Sequence, residues 1–202
     1  MTDSSQKALK RSTLLAAVIS SFMAPYLGSA VNVALPAIQE DLSATAVQLS
    51  WIAAAFVLVN AMLALPLGKA SDIWGRKRML AGGILLLTAS TLVCLVVEDP
   101  RTLIALRALQ GVGSAAVAVT AMAIVTSVFP PEERGGAFGW VIAAVYTGLS
   151  AGPFVGGMLT GFFGWRSVFL SAALLGAGAF GWVVLRLKGE WADAAGERLD
   201  LT

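Results

Sequence analysis

Six stretches of this chain, at about 12–38, 47–67, 79–97, 102–128, 137–161 and 167–187, are almost wholly apolar. Each is long enough to cross the roughly 30 Å hydrocarbon core of a bilayer, which takes about 20 residues of helix. No backbone group can find water there, and each unpaired one costs several kcal/mol, so the runs must satisfy their own hydrogen bonds. They lack the short alternating pattern of membrane strands, which leaves helices. The composition agrees: 57% of the 202 residues are hydrophobic, 13% are charged and the mean hydropathy is +0.80, a balance foreign to a water-soluble domain. The expected fold class is an all-α membrane protein, a six-transmembrane-helix bundle. Its expected divisions are an N-terminal tail over 1–11, a membrane domain over 12–187, and a polar tail or the start of a linker over 188–202.

The basic start of the chain followed by an apolar run has the look of a secretory leader. The run extends from Ser12 to about Ile38, however, whereas leader cores span about 7–15 residues, and no clean cleavage site follows. It is read as a retained first helix.

Charge fixes the expected orientation. Lys7, Lys10 and Arg11 precede the first run, Lys69, Arg76, Lys77 and Arg78 follow the second, Arg134 follows the fourth, and Arg186 ends the sixth with Lys188 and Arg198 after it. The alternate loops hold only Arg101 and Arg166, beside Glu40, Asp41, Glu98 and Asp99. Positive residues stay on the cytoplasmic side, so both termini are expected there, in a multi-pass protein of the plasma membrane, or the inner membrane of a bacterium. The net charge of +2 is spread over these loops without forming a basic face, which argues against nucleic acid as a partner. The chain has no His and one cysteine, Cys94, inside an apolar run, so neither a metal centre nor a disulfide framework has ligands. Acid–base or nucleophilic catalysis within the bilayer lacks its groups for the same reason. The expectation is no enzyme and no cofactor, with membrane lipid and a small-molecule substrate as partners.

Three motifs carry the functional reading. The loop after the second run reads Gly68-Lys69-Ala70-Ser71-Asp72-Ile73-Trp74-Gly75-Arg76-Lys77-Arg78. An ordinary positive loop explains Arg76, Lys77 and Arg78 but not the two glycines and the acid at this spacing. Gly68 would let another helix approach closely, Asp72 would accept from amides at a helix N-terminus, and Gly75 would turn the chain. The fourth run carries Arg107, Gln110, Gly111 and Gly113; Arg107 lies roughly 8–9 Å along the helix at 1.5 Å per residue. A charge at that depth marks a functional site, unless it snorkels to the interface near Glu98 or Asp99. The fifth run carries Gly139, Gly148, Gly152-Pro153 and Gly156-Gly157, a pattern for tight helix crossing and a bend. Pro25, Pro36, Pro66 and Pro153 sit in or near runs, where they would kink or end helices.

The loop strongly resembles the signature G-x-x-x-D-x-x-G-R-[KR]-[KR] of the major facilitator superfamily. The fifth-run glycines resemble the motif of its antiporter branch, and Arg107-x-x-Gln110-Gly111 resembles its fourth-helix motif. Asn32-Val33-Ala34-Leu35-Pro36 and Gly164-Trp165-Arg166 are similar to phrases of its fourteen-span drug/proton antiporters, so the likeness covers most of the chain. It implies one six-helix half of a secondary transporter working by alternating access. Gly68 to Arg78 would form an inner gate, Arg107, Gln110, Gly111 and Asn32 a coupling or substrate region, and Gly148 to Gly157 a helix seam. Multidrug efflux is the implied class. The chain departs from those antiporters in having Leu27 where they commonly have Asp, and no run carries a carboxylate near its middle. Asn60 and Tyr146 join Asn32 and Gln110 as polar groups able to line a cavity. A second half is also implied, either another copy in a homodimer or a missing C-terminal half. In a homodimer, Gly68 and Asp72 are expected to meet the partner's fifth helix near Gly136 to Trp140. The alternative is a half-size membrane scaffold, sensor or assembly partner.

Overall fold

The computed structural model describes residues 3–187 together with Gly189 and Trp191. The rest of the expected 188–202 tail, including Lys188 and Arg198, lies outside the described residues. Six helices account for nearly all of what is described: α1 (Asp3–Leu42), α2 (Ala46–Trp74), α3 (Arg76–Val93), α4 (Pro100–Val128), α5 (Pro131–Phe163) and α6 (Arg166–Arg186). All six are long and apolar enough to cross a membrane. The chain is therefore a multi-pass membrane bundle.

The helices overrun the apolar stretches because apolarity marks where lipid ends, not where a backbone stops being helical. At 40 residues α1 is about 60 Å long, twice the hydrocarbon thickness, and it already includes most of the tail that precedes Ser12. Pro25 and Pro36 in α1, Pro66 in α2 and Pro153 in α5 all lie inside their helices, so none ends one. Each forfeits one backbone hydrogen bond, whereas ending the helix in lipid would leave several groups unpaired.

Local chemistry ends the helices. Thr45 and Gln48 form a reciprocal capping box at the start of α2. Asp99 accepts from the Thr102 amide at 2.8 Å, with Pro100 in the first turn of α4. Gly75, at φ 102°, separates α2 from α3 in a conformation that side chains resist, as the sequence expected of it.

Packing sorts the helices by burial. The most apolar windows of α1 and α4 are 61% and 56% buried, whereas those of α2 and α5 are 17% buried. Helix α1 packs chiefly on α5, α4 chiefly on α2 and α3, and α3 on α6. The main core runs through Leu27, Val31, Ile52, Leu87, Leu103 and Phe169; a smaller one near the termini joins Ala17, Val125, Phe129 and Val141. Both ends are pinned by charge. At the end carrying the termini, Lys10 of α1 pairs with Glu133 of α5 at 2.7 Å. At the far end, Asp41 accepts from Arg166 at 2.6 Å and from the Trp165 indole at 3.0 Å, while Arg166 also donates to the Val97 carbonyl. That cluster ties α1, the α3–α4 connection and α6 together.

Candidate functional site

The Arg107 side chain is 1% exposed. Snorkelling is thereby excluded, since the guanidinium turns inward across α4. Its Nε donates to the Ile52 carbonyl of α2 at 3.0 Å, one terminal nitrogen donates to Gln110 Oε1 at 2.9 Å, and its carbon lies 4.4 Å from the centre of the Phe56 ring. The Gln110 amide in turn donates to Thr91 Oγ1 at 3.1 Å and to Cys94 Sγ at 3.4 Å, both at the end of α3. No carboxylate reaches the cluster among the described residues. The positive charge is balanced by a carbonyl, an amide oxygen and an aromatic face, so the cluster joins α2, α3 and α4 through a cation that lacks a counter-ion.

Gly111, next to Gln110, makes this approach possible. A Cβ there would stand 2.6 Å from the Phe56 carbonyl oxygen and 3.2 Å from the Asn60 amide, so only glycine lets α2 and α4 meet at this depth. Asn60 donates to Ser114 one turn further on. Arg107, Gln110 and Gly111 thus come together as grouped from the sequence. Asn32 does not join them: it is exposed on α1, at the surface of the bundle. Tyr146 is likewise 64% exposed on α5.

The loop between α2 and α3 differs in detail from its sequence reading. A positive loop explained Arg76 together with Lys77 and Arg78, yet Arg76 is 8% exposed and directed inward. It donates to Asp72 Oδ1 at 2.9 and 2.6 Å, to Ser127 Oγ and to the Ala123 carbonyl of α4. Asp72 therefore accepts from a guanidinium one turn along, in place of the helix amides expected of it. The reason is positional: Gly75 turns the chain so that Arg76 opens α3 against α4, while Arg78 remains exposed and Lys77 half-buried. A Cβ on Gly68 would lie 4.0 Å from Val119 of α4, an ordinary contact, so nothing in this chain requires a glycine there.

The α5 glycines split into two groups. A Cβ on Gly148 would lie 2.5 Å from the Phe22 carbonyl oxygen, on Gly152 2.8 Å from that of Tyr26, and on Gly156 2.8 Å from Ala30. This is a seam between α5 and α1, at four-residue spacing. Gly139 meets nothing within 4 Å, Gly157 meets only Val33 at 3.7 Å, and Pro153 is exposed. Sequence reasoning missed Phe56, Ile52 and Ser127 as partners of the two buried arginines, and Thr91 as the partner of Gln110. A phenylalanine in an apolar run and a backbone carbonyl carry no signal of that kind.

The family model described as Major Facilitator Superfamily matches residues 17–199. Over 157 residues the chain is 34% identical to the riboflavin transporter RibZ of Clostridioides difficile (strain 630), covering 78% of this chain and 34% of the relative. It is 40% identical over 140 residues to the puromycin resistance protein pur8 of Streptomyces alboniger, covering 69% and 28%. It is 36% identical over 164 residues to a probable actinorhodin transporter of Streptomyces coelicolor (strain ATCC BAA-471 / A3(2) / M145), covering 79% and 28%. The chain therefore spans between 28% and 34% of the length of these relatives.

Proposed function

The chain belongs to the Major Facilitator Superfamily, and from that premise we propose that it forms one half of a secondary transporter, moving a small amphiphilic solute outward by alternating access. The observation that carries this reading is Tyr146. Its phenol lies about 14 Å into the fifth apolar stretch, is 64% exposed, and meets no hydrogen-bond partner among the described residues. A bare phenol facing hydrocarbon near mid-depth is unfavourable, whereas the same group facing a hydrated cavity is at home. Asn32, also exposed, adds a second polar group nearer the far end of α1.

The broad open faces of α2 and α5 fit a second six-helix half, either another copy of this chain or a C-terminal half. With both termini on the cytoplasmic side, Gly68 to Arg78 lies at the inner end, where Asp72 and Arg76 brace α2 and α3 against α4. That arrangement suits a gate that holds one state and releases in the other. Arg107 ties the far part of α2 to α4 and transmits motion between the gate and the cavity wall. Any proton-carrying carboxylate would come from the second half. The solute class follows from the puromycin resistance protein and the probable actinorhodin transporter among the relatives and from the apolar, aromatic walls. The lack of a mid-depth carboxylate in all six runs is the one feature that favours a scaffold instead.

The test is flux of a fluorescent aromatic amphiphile in proteoliposomes, with the chain alone and with a co-reconstituted second half. Transport is expected, slowed severalfold by Asp72→Ala at unchanged expression. Absence of flux in both preparations, with folded protein in the vesicles, would leave the scaffold reading standing.

A further inference from the structure

Helices α5 and α6 are joined by the short turn at Gly164 and Trp165, yet touch each other little further along, and α1 forms the floor of the gap. The groove so formed has a volume of about 370 Å³, within the roughly 300–1,000 Å³ typical of ligand sites. Val18 and Phe22 of α1, Trp140, Ala143 and Thr147 of α5, and Leu175 of α6 line it, and Thr147 is the one polar residue there. Thr147 spends its hydroxyl on the Ala143 carbonyl, so the lining offers an entering molecule almost nothing but hydrocarbon.

The end of the groove nearest the termini is different. Arg11 lies seven residues before Val18 on the same stripe of α1, and Arg186 lies eleven residues, three turns, after Leu175 on the same stripe of α6. The Trp182 indole donates to the Ser12 carbonyl at 3.4 Å, and the Arg186 guanidinium stands 5.9 Å from the Trp182 ring, which draws the two basic ends toward one another. Both arginines are exposed and neither forms an ion pair among the described residues, whereas neighbouring Lys10 is spent on Glu133 and Arg134 on the Phe129 and Thr126 carbonyls. An alkyl-lined slot with two exposed guanidinium groups and a tryptophan beyond its end nearest the termini, the guanidiniums without an ion pair among the described residues, matches a molecule with a hydrocarbon chain and an anionic head.

We propose that the α1–α5–α6 groove is a binding site for an anionic phospholipid of the leaflet facing the chain termini, with one acyl chain along Phe22 and Ala143 and its phosphate between Arg11 and Arg186. The site stands whether or not the chain transports. Native mass spectrometry of the detergent-solubilised chain, titrated with phosphatidylglycerol and with phosphatidylcholine of identical chains, tests it. The wild type is expected to retain phosphatidylglycerol preferentially, and each of Arg11→Gln and Arg186→Gln to lower that retention about fivefold. Ala143→Trp, which fills the slot and leaves both arginines, is expected to abolish the preference, while 10-fold excess inorganic phosphate leaves it intact. Equal retention of the two lipids by the wild type overturns the proposal. So does a preference that survives Ala143→Trp, or one that phosphate displaces, because either result means a basic surface without a seated chain. Both arginines are exposed, so their variants fold; matching elution and circular dichroism of all variants verify it.

Discussion

Replacing Gly148 by alanine adds a single methyl group, and the structure fixes where it goes. The new carbon would sit 2.5 Å from the Phe22 carbonyl oxygen and 3.2 Å from the Tyr26 amide nitrogen. An unstrained carbon–oxygen contact is about 3.4 Å, so the α1–α5 seam would have to open by close to 0.9 Å. Both obstacles are backbone, so no side-chain rotation relieves them. Overpacking costs about 1–3 kcal/mol, and an obstacle made of backbone sits at the upper end of that range; the higher helix propensity of alanine returns about 0.5–1 kcal/mol, which leaves a net loss of about 2–2.5 kcal/mol. Gly139→Ala is the internal control. Nothing lies within 4 Å of its added carbon, so only the propensity gain of about 0.5–1 kcal/mol remains. Unfolding of both variants by sodium dodecyl sulfate, followed by tryptophan fluorescence, should therefore give shifts of opposite sign. Equal shifts, or a neutral Gly148→Ala, would mean that α1 and α5 do not meet along this seam.

Three further outcomes follow from the geometry. Arg107→Met exchanges a buried, unpaired cation for an apolar chain of similar length and should leave stability within about 1 kcal/mol of wild type, whereas Gln110→Leu strands that cation and should lose about 1–3 kcal/mol. The same detergent unfolding assay checks both, and the opposite order would refute the account of the cluster. The Thr102 amide, and then its hydroxyl, hold the Asp99 carboxyl below its ordinary value. Its contribution is thus complete above the unfolded carboxylate pKa of about 3.9 and disappears as pH falls through the lowered folded value; acid titration of helicity should show a step absent from Asp99→Ala. Finally, single cysteines at Lys69 and Gly139, both exposed, should crosslink between copies in membranes if the chain pairs with itself; monomeric products alone would point to a different second half.

The six-helix architecture was legible because lipid leaves the backbone a single option, and the polarity of each run declares it. Gly75 was legible too, since a glycine between two helices has few other uses. What a one-dimensional pattern does not hold is the rotation of each helix about its axis. Arg107 announced itself as an anomaly, but whether it pointed out to Glu98 or in to Phe56 depended on that rotation. The same angle decided that Gly148, Gly152 and Gly156 face α1 while Gly139 faces outward, and that Asn32 stands apart from Gln110. Arg76 shows a second limit: a run of three basic residues suggests one shared environment, yet the turn at Gly75 sends the first against α4 and leaves Arg78 at the surface.

Helix α1 runs unbroken from Asp3 to Leu42 through two prolines, paired to α5 by Lys10 at one extremity and to α6 by Asp41 at the other. A rod about 60 Å long, swivelled by about 10° around its centre, carries its tips about 5 Å in opposite directions. Such a lever needs no internal hinge: a swing of the tip paired to α5 moves the tip paired to α6 the opposite way in the same stroke.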